Sequence, residues 1–130
     1  MRSRWIAIGA FSGAVAVLLG AFGAHGLKDL VSPQDLEIWK TGVLYHALHS
    51  IALVLFGLFQ ERRGTSSAPG LLFLIGILVF GGTLYGLGLG GPRWLGAITP
   101  LGGLAFIAGW ILFGVQALRS GKESQDRAES

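Results

Sequence analysis

The sequence predicts an all-α membrane protein: a four-transmembrane-helix bundle with N and C termini cytoplasmic and a short extra helix in the first outer loop. Three observations carry that expectation. Four stretches, Trp5 to Ala24, Thr41 to Gln60, Gly70 to Gly91 and Leu95 to Leu118, contain no charged side chain. Each approaches or exceeds the roughly 20 residues that a helix needs to cross about 30 Å of hydrocarbon. Mean hydropathy is +0.62, with 52% hydrophobic and only 13% charged residues, a balance suited to an apolar exterior and one compact domain. Finally, the stretches lack the polar alternation of strands, and lipid admits only helices or closed barrels because every backbone polar group must be satisfied internally.

The first span follows Arg2 and Arg4, and Ala21-Phe22-Gly23 resembles a cleavage site. Its apolar run exceeds the roughly 7–15 residues of a signal core and reads as a retained helix. In the first connection, Ser32-Pro33-Gln34-Asp35 places a capping Ser before a Pro at the first helical position and an acid in the first turn. The helix starting there either runs directly into the second span or forms an interfacial piece, with Leu36 and Trp39 toward lipid. Glu61 to Pro69 is charged and then Gly/Ser/Thr-rich, a turn between the second and third spans. Thr99-Pro100 has the form of a cap and first position for the fourth helix. Residues 1–118 make a single membrane domain, and residues 119–130 a polar, flexible, frayed cytoplasmic tail.

Sidedness follows from Lys and Arg, which are retained preferentially on the cytoplasmic side. Arg2, Arg4, Arg62, Arg63, Arg119, Lys122 and Arg127 fall on one side of a four-span topology. On the other side, Lys28, Lys40 and Arg93 are accompanied by Asp29, Asp35 and Glu37. Trp5 marks the inner edge and Trp39 and Trp94 the outer edge, whereas Trp110 falls mid-span as a packing residue. The net charge of +3 thus reflects topology and implies no nucleic-acid partner. With 0 Cys, disulfides, thiolate nucleophiles and cysteine-ligated metals are excluded.

The 22 glycines suit lipid, where close backbone approach replaces hydrophobic burial as the source of helix association. Gly9 and Gly13, followed by Ala16, Gly20 and Ala24, form a stripe on the first span. Gly82, Gly86 and Gly90 form one on the third, and Ala105 and Gly109 one on the fourth. Tight packing of the first, third and fourth helices is therefore expected, within one chain or between copies. Gly86-Leu87-Gly88-Leu89-Gly90-Gly91 matches a dinucleotide fingerprint, but it ends a membrane helix instead of joining a strand to one.

The polar residues near the outer end are the candidate site. His25 closes the first span, and Tyr45, His46 and His49 lie on the second, with both imidazoles roughly 8–12 Å below the outer boundary at a rise of 1.5 Å per residue. Tyr85 and Thr99 lie at comparable or shallower depth. Intramembrane polar groups usually face the bundle interior, so these six are expected to line one pocket. They serve either as hydrogen-bonded packing or as a site for a small ligand, quinone, proton or metal. Ser12 and Ser50 read as lone hydroxyls bonded to the carbonyl four residues earlier. No intramembrane carboxylate accompanies them, which weighs against proton-coupled pumping and a serine hydrolase.

Read together, several blocks carry a resemblance: Gly20-Ala21-Phe22-Gly23-Ala24-His25-Gly26-Leu27, Trp39-Lys40-Thr41-Gly42-Val43-Leu44-Tyr45-His46-Ala47-Leu48-His49, Gly81-Gly82-Thr83-Leu84-Tyr85, and Ile98-Thr99-Pro100-Leu101-Gly102-Gly103 with Gly109-Trp110. The ordered set resembles the YgdD-like family of small bacterial inner-membrane proteins, itself similar to a small eukaryotic transmembrane family. The resemblance implies a four-helix, multi-pass protein of the bacterial inner (cytoplasmic) membrane. It supplies no catalytic residues, since the family has no established activity.

The expected function is that of a non-enzymatic structural or accessory membrane component. Two alternatives stand beside it: an oligomeric transporter of small solutes or ions, and a lipid-, quinone- or metal-binding protein using His25, His46 and His49. No cofactor and no metal ligand set is assigned. The expected partners are membrane lipids, with a homo-oligomer or a larger membrane complex.

Overall fold

A computed structural model describes residues 2–130. Helix α1 spans Arg4–His25, a 3-10 turn spans Leu27–Asp29, and α2 spans Pro33–Arg63. The third span consists of α3 (Ala68–Gly76), a π turn (Ile77–Gly81) and α4 (Gly82–Gly88). Helix α5 runs over Leu95–Glu129. Four helical segments are long and apolar enough to cross a membrane, and the described residues contain no strand.

The ends of α2 obey their local sequence. Ser32 Oγ accepts from Asp35 N at 3.1 Å, with Pro33 in the first turn. At the other end Gly64 takes φ 65° and returns its N–H to Gln60 O at 2.8 Å, a left-handed cap that glycine adopts without a Cβ clash. Between these caps the helix is continuous, so the start at Pro33 runs straight into the second span. The only additional helical element in this connection is the 3-10 turn, whose Leu27 is buried.

Two expected boundaries shift. Helix α5 begins at Leu95, leaving Pro100 inside it instead of at its first position. Bonds from Leu95 N, Gly96 N and Ala97 N to the carbonyls three residues earlier form the first turn upstream. The Thr99 hydroxyl, expected to cap, donates to Leu95 O at 3.0 Å. At the C-terminal end, where fraying was expected, the helix continues through Glu129. Arg63 donates to Ser124 Oγ there, and Gln125 Nε2 donates to Glu129 Oε1 at 3.2 Å.

Helix α1 packs chiefly against α2, α5 lies along the third span, and α2 sits between α1 and the third span. Trp5, Leu53, Phe56, Phe73, Ile77 and Phe106 form the core. Both termini lie at one end with the Glu61–Pro69 connection. Ser3 N donates to Glu61 Oε1 and Ser3 Oγ to Gln60 Oε1, each at 2.9 Å. Gln60, 3% exposed, also donates to Thr65 O and Ser67 Oγ, and Trp5 Nε1 donates to the same hydroxyl.

Glycine contacts follow this pairing of hairpins. A methyl group added at Gly9 would stand 2.7 Å from Ser50 O and 2.9 Å from Leu53 Cβ, and one at Gly109 2.8 Å from the Phe73 ring. A methyl group at Gly20 would lie 3.3 Å from Val43 Cγ1, and one at Gly13 at an ordinary 3.8 Å from Ser50 Cβ. The stripe on the third span does not hold a helix contact. Gly82 and Gly90 face open space, and Gly86 meets only the end of Leu95. Gly90 instead takes φ 85° in the turn that follows α4. Closest approach on this side falls at Gly76, against the Phe106 ring, and at Gly102, against the Phe80 backbone.

Tryptophan placement differs from expectation at two sites, Trp39 and Trp5, the latter buried in the core. Trp94 is 62% exposed, as an edge residue would be, but Trp39 is buried and donates from Nε1 to Leu19 O at 2.9 Å. Its indole lies against Gly23 and joins α1 to α2.

Candidate functional site

The six expected residues do not form one pocket. His25 is exposed at the end of α1, apart from the other imidazoles. Among the described residues, no group of three or more His, Cys, Asp or Glu side chains is placed to hold a metal ion. His46 and His49, although three residues apart on α2, point into different seams.

His46 occupies the junction of α1, α2 and α4. Its Nε2 lies 3.0 Å from Ser12 Oγ and its Nδ1 2.7 Å from Tyr85 OH. Ser12 Oγ is 2.7 Å from Ser50 Oγ, which donates to His46 O at 2.8 Å. Either hydroxyl can be the donor in the Ser12–Ser50 contact. With the Ser50 proton on the His46 carbonyl, Ser12 gives its own to Ser50 and accepts from His46 Nε2–H. Nδ1 is then unprotonated and accepts from Tyr85 O–H. The polarity is opposite to that of a serine activated by a histidine base, which requires the hydroxyl to donate to the imidazole.

His49 occupies the junction of α2, α3 and α5. Trp110 Nε1, which can only donate, approaches His49 Nε2 at 3.0 Å. Nε2 is thus the acceptor, and Nδ1–H donates to Tyr45 O at 2.7 Å. The imidazole stacks on Phe106 with centroids 3.5 Å apart and planes inclined by 10°. Tyr45 contributes its carbonyl, while its ring packs on Phe80 at 4.8 Å and remains 40% exposed.

Thr99 belongs to a third contact. Its Oγ1 lies 2.7 Å from Thr83 Oγ1, and Thr83 Oγ1 also reaches Val79 O at 2.8 Å. This pair joins α4 to α5 beside the π turn, whose Phe80 backbone meets Gly102.

All four imidazole nitrogens of the buried pair are therefore engaged with protein groups. An open apolar groove of about 340 Å³ runs between α1 and α2, lined by Gly9, Gly13, Ala47, Ser50 and Ile51 among others. The polar cluster presents only Ser50 to it.

Sequence reasoning missed Ser12 and Thr83 as partners, the Trp110 bond to His49, and the inner hub at Gln60. A usable signal existed for the first of these. Counted from the inner ends of their runs, Ser12 and Ser50 lie within about one helical turn in depth, as two hydroxyls facing across an antiparallel pair would.

The chain matches known proteins along most of its length. The family model described as a protein of unknown function, DUF423, matches residues 19–103. The UPF0382 membrane protein YwdK of Bacillus subtilis is 42% identical over 118 residues, covering 88% of this chain and 96% of that protein. A UPF0382 membrane protein of Staphylococcus epidermidis is 41% identical, covering 88% and 95%. One from Haemophilus influenzae is 35% identical, covering 92% and 98%. No solved structure matches. With four apolar spans and relatives aligned almost end to end, the chain is an integral membrane protein and belongs to the DUF423 family, the UPF0382 membrane proteins.

Proposed function

We propose that the protein is a non-enzymatic structural or accessory component of the bacterial inner membrane, acting through its helix faces on copies of itself or on a larger membrane complex. One observation carries this reading: every ring nitrogen of His46 and His49 is spent on a bond to protein. Intramembrane polar groups are expensive and mark function or packing. Here their arrangement favours packing, because each bond ties one helix to another or to its own backbone. The resemblance to YgdD-like proteins supports placement in the inner membrane, and the basic residues at the end shared by both termini support a cytoplasmic location for that end.

Helix α1 offers the face for association, with Phe11, Val17 and Leu18 each more than two-thirds exposed. A photoreactive residue replacing Phe11 in native membranes is expected to yield one defined protein adduct. Lipid adducts alone would argue against association through this face. Reconstituted solute flux abolished by His46→Ala would replace the proposal with transport.

A further inference from the structure

Beyond the helix-packing role, the end shared by both termini carries a built basic cleft. Two adjoining clefts of about 260 and 330 Å³ lie between the C-terminal turn of α2 and the extension of α5. They share Arg63, Ser120 and Glu123, and between them add Arg62, Arg119 and Arg127. Four guanidinium groups thus face one carboxylate. None is in an ion pair: the only salt bridge among the described residues joins Lys40 to Glu37.

The cleft wall also holds two enclosed polar atoms without partners, Thr65 Oγ1 and Gln116 Oε1. One is a hydroxyl able to donate and the other an acceptor. Both atoms are closed off within the wall, so the cleft's ligand chemistry comes from its guanidinium groups, and arginine is suited to phosphate by its forked donors. Depth supplies the source. Gln116 lies in the last uncharged run and Arg119 directly follows it, so the cleft opens at the boundary between hydrocarbon and water, where headgroups lie.

We propose that this cleft binds the headgroup of an anionic glycerophospholipid, with Arg63 and Arg119 holding phosphate and the adjoining cleft accommodating a second phosphate where the lipid carries one. Basic pockets between transmembrane helices are suited to such headgroups, and each basic side chain near an anionic surface contributes about a fivefold gain in binding.

The test uses the full chain purified in a neutral detergent, with native mass spectrometry reporting occupancy by phosphatidylglycerol, cardiolipin and phosphatidylethanolamine. Occupancy by the first two is expected. Arg63→Gln combined with Arg119→Gln is expected to weaken binding about 25-fold, whereas Arg2→Gln combined with Arg4→Gln, altering basic residues at the same end but outside the cleft, leaves it unchanged. Glu123→Gln is expected to tighten binding, a gain that misfolding cannot produce. Equal occupancy by phosphatidylethanolamine, or equal losses in the two double variants, would overturn the proposal. Displacement of the lipid by an equal concentration of inorganic phosphate would overturn it in favour of a soluble anion.

Discussion

Gly9 and Gly82 have the same residue type on membrane helices and opposite surroundings. At Gly9 a methyl group meets the Ser50 carbonyl and the Leu53 side chain, while at Gly82 it meets nothing within 4 Å. Gly9→Ala must separate α1 from α2 and is expected to lower the melting temperature in detergent. Gly82→Ala relieves a helix of glycine's backbone entropy, and a gain of up to about 1 kcal/mol is expected; thermal melts of the two variants check both signs. Bonds are as specific as contacts at this scale. Tyr85→Phe removes the donor to His46 Nδ1 and Trp110→Phe the donor to His49 Nε2. Each loss should cost about 1 kcal/mol, the usual range for polar contacts between membrane helices. Because the two imidazoles occupy separate seams, the double variant should show additive losses by equilibrium unfolding; strong coupling would restore the single-pocket arrangement.

The third span is the element whose irregularity shapes the bundle. A π turn closes bonds five residues apart and so accommodates one residue more than a regular α turn. The turn Ile77–Gly81 brings the Phe80 backbone against Gly102 and presents Thr83 to Thr99. Deleting Leu78, an exposed residue of this turn, is expected to convert it to α-helix while keeping Tyr85 on His46, with a small change in melting temperature. Deleting Leu44, equally exposed but within regular α2, turns Trp39 and Gly42 by about 100° from the face below and should abolish folding. Similar losses for both deletions would contradict this reading of the π turn.

Much of this scale was legible in the sequence. Charge-free runs and the Ser32-Pro33 start report local chemistry, and the spans and the beginning of α2 follow from them directly. Gly82, Gly86 and Gly90 misled because a four-residue spacing defines a face without saying what lies opposite it, and the π turn carries no signature that hydropathy would reveal. The candidate site was legible in its members and not in its partition. Spacing places His46 and His49 on one side of α2, but whether they converge depends on Ser12, Tyr85, Phe106 and Trp110 from three other segments. His25 was drawn in by depth alone, and depth does not specify direction.

For the whole molecule, the second hairpin packs on the α2 arm of the first, and both termini and the second connection come to one end. Positive residues gather there, which predicts a cytoplasmic location. A membrane-impermeant thiol reagent applied to intact cells should label Lys28→Cys and spare Arg62→Cys; the reverse pattern would invert the topology. Interior polar groups then act as fasteners between helices, and that role prescribes definite proton positions. Nitrogen-15 solid-state NMR of the histidine rings in lipid bilayers reads them. His46 should be protonated at Nε2 alone and His49 at Nδ1 alone, both in single, slowly exchanging states. Doubly protonated rings, mixed tautomers or rapid exchange with water would mean that the imidazoles are open to proton or ligand traffic and do not simply hold the helices together.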